Sequence, residues 1–539
     1  MNRTAIRMRQ ALDLDVLGLV SDSLLDTATV LSFSLVSRAL HPVAVKRLLS
    51  MKPIILKDEH SVRTFHAFIF ADPEPRLPFV RALNIDIPKL AGIAPSREEA
   101  ASCVLEILER VTHLESLVLP FPRWTCLNDS RILQAIVRLS TLRELGLLEG
   151  CPEISEIVKS TCSASSLRVL RVSLDRLPTS GDDFGLKMAE IDAFLHHLIP
   201  TLEVLDIRET TLVLDAKGAE YPALRSLVAC IEEGIIRTDI LVSKFPALDG
   251  TLGVGSVYGA LQSDELEQRR IRASNQDSQK KRRWKHLDCV MGDVLALFVL
   301  GLTCPVRYLM VHGFCGHQRS EMVDILRATP PTHLKLSTIL YHGGDVFQDL
   351  FPSEVIPRLT HLTWVLEYAN PPADDELSDG DFVQNMQWST FLTKVVASIC
   401  ALRLTHFRLF VHYDICLNDA EYVPHSRDFV RSMANLDHAR LATELMHAVP
   451  SLRHVFLSMG GQFDVTPDDP DVRRQTRGRW FAHSAWKNAP SGPPMRLDAD
   501  VMERMLVDED LVLSDDDNFS LGFQRTWKEE ETAPWPLPE

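Results

Sequence analysis

Few stretches of this chain place chemistry-bearing side chains close together. "HGFCGH" gathers His312, Cys315 and His317, with Cys304 a few residues earlier. Zinc binds imidazole and thiolate in such mixtures, but a structural site needs a fourth ligand and normally a second knuckle. The cluster is therefore read as coincidence, and no cofactor or metal is expected. "NPPADDELSDGDF" from Asn370 is rich in carboxylates, yet the second ligand position of a calcium loop would fall on Leu377, so it reads as a solvated acidic loop. "GVGSVYG" at Gly253 offers Gly-x-Gly with its last glycine one place late for a dinucleotide fingerprint, and reads as a turn. The pair at His196 and His197 reads as structural. No Gly-x-Ser-x-Gly elbow, His-Glu-x-x-His or Walker loop occurs. The expectation is a non-catalytic binding protein, with an unrecognised hydrolase as the distant rival.

Binding chemistry is then the question. The formal charge of −16 and pI near 5.6 are wrong for a protein that coats nucleic acid or anionic membrane. "KKRRWK" from Lys280 is a local exception that would suit a nuclear import signal, with a tryptophan that could stack on a base. The longest apolar run, from Val294, is too short for a membrane span and reads as a core helix. The N-terminus has no apolar run fit for a secretory signal. The ten cysteines form no Cys-x-x-Cys pair, which fits reduced thiols in the cytoplasm or nucleus. Partners are expected to be proteins, with no membrane and no general nucleic-acid role.

The elements that would position a binding surface repeat along the chain. The pattern apolar-x-x-apolar-x-apolar recurs as "VRALNI" at Val80, "LESLVL" at Leu114, "LRELGL" at Leu142, "LRVLRV" at Leu167, "LEVLDI" at Leu202, "LRSLVA" at Leu224, "VRYLMV" at Val306, "LTHLTW" at Leu359, "LTHFRL" at Leu404 and "LRHVFL" at Leu452. In each the last two apolar residues alternate as a strand does, and the first lies across a bend. Amphipathic stretches lie between several of them: "EEAASCVLEILERV", "DSRILQAIVRL", "MAEIDAFLHHLIP", "QRSEMVDILRA", "STFLTKVVASIC" and "LDHARLATELMHAV". The expected fold is α/β: a small N-terminal helical unit at 8–52, an irregular solenoid with a parallel sheet on its concave face at 53–460, and a C-terminal cap with an acidic tail at 461–539. Two loop insertions are expected at about 262–286, which contains the basic stretch 269–285, and at about 368–384. Trp480, Phe481 and Trp486 are expected to fold back over the last repeat. Arg143, Arg168, Arg171 and Arg225, on strands, would suit a phosphate.

The repeats resemble the leucine-rich repeat family. The opening, "LDLDVLGLV" followed by "LLDTATVLSFSLVSRAL", looks like an F-box: Leu12, Asp15, Val16 and Leu17 match its start, and Ser34, Leu35, Val36, Ser37 and Arg38 match its later helix end. Asp13 stands where the family usually has proline, and no tryptophan follows Arg38. The combination is similar to F-box proteins with irregular leucine-rich repeats in basidiomycete fungi. That resemblance implies docking on the Skp-type adaptor of a cullin ubiquitin ligase, with a protein substrate of unknown identity on the repeats. Leu12, Val16, Leu17, Leu35 and Val36 are the candidate apolar adaptor anchors, and Arg38 is the candidate polar contact. The alternative is a repeat scaffold with no ubiquitin-ligase association.

Overall fold

The computed structural model describes residues 14–24, 26–87, 94–120, 130–148, 154–161, 166–173, 188–190, 192, 195–231, 236–255, 265–369, 380–416, 426–465, 475–489 and 492–513. It is a mixed α/β structure whose strands pair mostly in parallel. The chain divides into two compact units: residues 1–230 with 243–247, and residues 231–242 with 248–539.

The first unit begins with three helices, α1 (Leu14–Ser23), α2 (Thr27–Val36) and α3 (Leu40–Met51). Asp26 caps α2 by accepting from the Thr29 amide at 2.7 Å. Val30, Leu40, Ala44, Val45 and Leu49 form the small core where α2 meets α3, and Arg47 reaches back to the Leu24 carbonyl at 3.0 Å. The strands follow: β1 (Ile54–Leu56), β2 (Ala82–Ile85), β3 (Ser116–Leu119), β4 (Glu144–Leu147), β5 (Val169–Ser173), β6 (Met188–Glu190), β7 (Val204–Val213) and β8 (Ser226–Ile231). β1 to β5 pair in order and in parallel, β5 pairs with β7, and β7 with β6.

In the second unit β9 (Thr251–Gly255), β10 (Leu287–Asp293), β11 (Val306–Phe314), β12 (His333–Ile339), β13 (His361–Ala369), β14 (His406–Cys416) and β15 (His454–Val465) form a parallel series. β16 (Gln475–Lys487) then returns antiparallel to β15, and β17 (Met495–Arg496) pairs antiparallel with β16.

Every one of the ten repeated motifs coincides with a strand, and the leading apolar residues are buried: Leu114, Leu142, Leu167, Leu202, Leu224, Leu359 and Leu404 are all 0% exposed. The reason is local. In eight of the ten motifs the leading residue packs inward before the strand, and the next two residues' amides bond to one carbonyl of the preceding repeat, as Thr360 and His361 do to Thr332, and Thr405 and His406 to Thr360. Helices connect the strands, and those over 94–110, 130–138, 319–328, 388–399 and 438–448 fall where the amphipathic stretches predict them.

Four expectations are corrected. The polar stretch expected as a loop at 262–286 contains an α-helix, Glu265–Gln279. It has no apolar stripe; it is held by buried amides. Asn275 donates to the carbonyls of Ile236 (2.6 Å) and Val299 (2.8 Å) and accepts from the Thr238 amide (3.1 Å), while Gln279 donates to the Gly301 carbonyl (2.9 Å) and accepts from the Thr303 amide (2.9 Å). It sits beside the helix Val294–Leu300, apolar as expected, which ends at Gly301 with φ +58°, the left-handed conformation that glycine adopts freely. Gly253 and Gly255 lie in β9, not in a turn. "MAEIDAFLHHLIP" is not one amphipathic helix: Met188–Glu190 is a strand, Asp192 and Leu195 are helical, and a short 3-10 turn follows at His196–Leu198. Finally, the second insertion is narrower than expected, since Tyr368 and Ala369 end β13 and residues 380–385 are helical; its interior lies outside the described residues.

Candidate functional site

Two surfaces stand out, one in each unit. In the first unit α1 and α2 both pack on α3 but leave much of their apolar surface in solvent. Val16 is 44% exposed, Leu19 72%, Val20 43%, Leu31 48%, Leu35 84% and Val36 74%. A three-helix unit of this size has too little interior to bury all its apolar residues, and α2 in particular is apolar all round. Of the residues singled out in the sequence, Val16, Leu35 and Val36 belong to the surface, not the core, and Leu17 is half-buried. Arg38 is exposed in the turn after α2. Leu12 lies outside the described residues. Leu19, Val20 and Leu31 join the same set, although the sequence pattern did not single them out.

Elsewhere in this unit the strand arginines are engaged. Arg143 meets Glu115 at 3.8 Å, Arg168 meets Glu203 at 3.4 Å, and Arg171 pairs with Glu144 on the adjacent strand. These cross-strand ion pairs use the charge that a phosphate would need.

In the second unit the strand side chains that point away from the helix-packed core carry four histidines in register. His333, His361, His406 and His454 are mutual neighbours across β12 to β15, with Tyr308 opposite His333. The rings stack in sequence, with centroids 4.0, 4.4 and 4.8 Å apart. The first three each follow a threonine whose hydroxyl lies against Nδ1, at 2.9 Å (Thr332), 2.8 Å (Thr360) and 3.0 Å (Thr405). The same hydroxyls lie 3.1, 3.2 and 3.1 Å from the carbonyls of Arg307, Thr332 and Thr360. Burial pushes His333 and His406 down to about 4 and lowers His361 and His454. The recurrent Thr-His in "PTHLKL", "LTHLTW" and "LTHFRL" is the signal for this ladder, although the sequence reading did not draw it out.

Further along the same strands lies a buried polar row. Lys335 (0% exposed), Thr363 and Arg408 are neighbours in register, followed by Glu367 opposite His412. Burial, with Asp414 nearby, pushes Glu367 up to about 7; burial brings Arg408 down to about 10. The chain's own C-terminal segment lies over this face. After β16 and the helix Ala499–Asp508, Asp510 adopts φ +53° and the segment to residue 513 crosses the strands. Glu509 reaches His361 Nε2 at 3.1 Å, Asp510 accepts from Arg307 at 2.7 Å, and the Leu511 carbonyl accepts from Arg408 at 2.5 Å. Leu511 packs with Phe456, Ala485 and Met502; Leu513 and Phe481 pack on Val365 and Phe410.

The cap expected from Trp480, Phe481 and Trp486 is thus a strand. Trp480 is buried and donates to the Tyr413 hydroxyl at 2.9 Å, and Trp486 donates to Ser484 at 2.9 Å. The edge of β15 is paired by β16, which removes an open row of backbone donors and acceptors.

The residues first considered for zinc separate. His312 and Cys304 stay with their strand and loop, whereas Cys315 and His317 meet His342, their ligand atoms all within 4.8 Å. In the basic stretch Trp284 is 2% exposed, so its ring offers no stacking face. His197 lies 2.9 Å from the Val158 carbonyl and is lowered by burial, a structural role. Among the described residues no helix is long and apolar enough to cross a membrane. No protein-family model matches the chain, and no curated protein is significantly similar to it.

Proposed function

We propose that this protein is the substrate-recognition subunit of a Skp–cullin–F-box type ubiquitin ligase, its N-terminal helices docking on the adaptor and its irregular leucine-rich repeats presenting a protein substrate. The observation that carries this reading is the side-by-side exposure of Leu35 (84%) and Val36 (74%) at the end of α2, inside the segment that resembles the F-box. Two neighbouring aliphatic side chains so fully in water, joined by Leu19, Leu31, Val16 and Val20, are what a helix-against-helix interface needs and what an autonomous cap would bury. Arg38, exposed just beyond them, adds a polar contact at the rim.

The parallel strands and their buried leading leucines support the repeat architecture. The open face of β13 to β15 is filled by residues 509–513. Substrate recognition is therefore assigned to the first unit, at the strand starts marked by Arg81, Glu115, Arg143, Glu144 and Arg168, whose charged side chains reach solvent. The reading carries no chemistry of its own and expects no cofactor.

The test is capture of the host's Skp-type adaptor by wild-type protein and by the Leu35→Asp, Val36→Asp double variant. Burying these two side chains on docking contributes about 3–5 kcal/mol, so their loss weakens binding by roughly 10²-fold or more. Because both are exposed, the variant stays folded, with stability within about 0.5 kcal/mol of wild type. Adaptor bound by wild type and lost by a folded variant supports the proposal. Failure of folded wild type to bind any adaptor refutes it and leaves the protein-interaction scaffold.

A further inference from the structure

We propose that the C-terminal segment and the histidine ladder together form a binding site for a zinc-class divalent ion, with His361 Nε2, His406 Nε2 and a Glu509 carboxylate oxygen as its ligands. Three observations lead to it. First, one ligand atom from each of these residues lies within 4.8 Å of the others, and His361 Nε2 and the Glu509 oxygen are 3.1 Å apart. That separation matches ligands about 2.0–2.2 Å from a shared tetrahedral ion.

Second, the outer shell is already built. A metal-bound imidazole needs its other nitrogen protonated and held by an acceptor. For both histidines that acceptor is a threonine hydroxyl, Thr360 or Thr405, which is itself placed to donate onward to a main-chain carbonyl. In this arrangement Nδ1 carries the proton, the hydroxyl keeps two hydrogen bonds, and the lone pair is left on Nε2. The rings are nearly parallel, 7° between planes, so sharing an ion takes a rotation that converges the two Nε2 atoms and the release of the 2.9 Å contact from His454 Nδ1 to His406 Nε2.

Third, the ligands come from rigid elements. Both histidines are the first residues of paired parallel strands, and Glu509 is fixed between the helix ending at Asp508 and the Arg307–Asp510 ion pair at 2.7 Å. Two imidazoles and one carboxylate suit zinc and its neighbours in the first transition row, while calcium and magnesium require all-oxygen shells. Three protein ligands leave one tetrahedral position for water. Bound there, the ion fastens the C-terminal segment to the strands and keeps their open face filled. In the other such trio, Cys315, His317 and His342, two of the three residues lie at the short 3-10 turn Gly316–Gln318.

The experiment uses the full chain, stripped of metal under reducing conditions, and titrates zinc against a chromophoric competitor with wild type, Glu509→Gln, His361→Ala and Cys315→Ser. One equivalent of zinc is expected to bind wild type and Cys315→Ser alike, and to bind Glu509→Gln and His361→Ala roughly tenfold or more weakly. Circular dichroism confirms the fold of each variant, and Glu509→Gln keeps the test valid should His361→Ala unfold. Cobalt substitution gives an independent reading. A visible d–d spectrum without thiolate charge transfer is expected, and its loss in Glu509→Gln supports the site. Thiolate charge transfer that disappears in Cys315→Ser, binding unchanged in folded Glu509→Gln, or no zinc retained by wild type overturns the proposal.

Discussion

Asn275→Leu should be among the most damaging single changes in the second unit, although it sits on a helix whose sequence looks like a charged linker. The side chain is 4% exposed and makes three hydrogen bonds, to Ile236 O, Val299 O and Thr238 N. Leucine has the same branched shape and, though larger, buries more apolar surface, so the transfer of apolar area by itself would favour it. The polar balance decides otherwise. Leaving the Thr238 amide without its partner costs about 1–3 kcal/mol, and each of the two carbonyls loses a bond contributing about 1 kcal/mol. Against roughly 1 kcal/mol of apolar gain, the expected loss is about 2–4 kcal/mol. The readout is urea unfolding followed by tryptophan fluorescence, since the described tryptophans, Trp284, Trp364, Trp388, Trp480 and Trp486, all belong to the second unit. Arg270→Ala is the control: its side chain is 78% exposed, paired only with Glu267 on the same helix, and its change should stay within about 0.5 kcal/mol. A loss below about 1 kcal/mol for Asn275→Leu, or equal losses for both variants, would show that the helix is not held by its buried amides.

Acid should weaken the second unit between pH 6.5 and 4 through its buried histidines, an effect that Glu367, raised to about 7, offsets in part. His333 and His406 are held down to about 4 in the fold against an unfolded value near 6.5, so their stabilisation is full above pH 6.5 and is lost as pH falls towards 4. With chelator present, each ring contributes up to about 3 kcal/mol to that loss, and a fluorescence-detected unfolding midpoint unchanged between pH 7 and 4.5 would contradict it. In the first unit, Lys244→Met strands Asp192. The ammonium is 2% exposed and binds both Asp192 oxygens, at 3.0 and 2.8 Å, and Tyr221 and the Ala219 amide point at the same carboxylate. Asp192 is 29% exposed and keeps two donors, so removing the ammonium should cost about 1–3 kcal/mol, read as faster proteolysis around residues 188–230; wild-type resistance would refute it.

The sequence by itself determined ten of the seventeen described strands. Ten short apolar motifs each carry their own instruction, because period-two alternation and a buried leading residue act within six positions and need no distant partner. Missed strands show the limit of that reading. In β12 Pro331 stands where the leading leucine would be, and in β10 Gly292 stands at the third apolar place. The Leu35–Val36 pair was visible as a motif, but whether it faced core or water was not, since α2 is apolar on every side and only its packing on α3 chose Val30 and Ser34 for the interior.

Tertiary structure alone decided the rest. The helix at 265–279 looked like a loop because its stability comes from two amides answering main-chain groups as much as 39 residues away, which no local period records. The histidine stack exists only because successive repeats align in register, placing side chains 28, 45 and 48 residues apart in sequence against one another. Glu509 joins it from 148 residues beyond His361, by way of a strand that reverses direction and a helix that turns back at Asp510. Local alternation writes strands into a sequence; which faces stay open, and what fills them, is settled by long-range packing and burial.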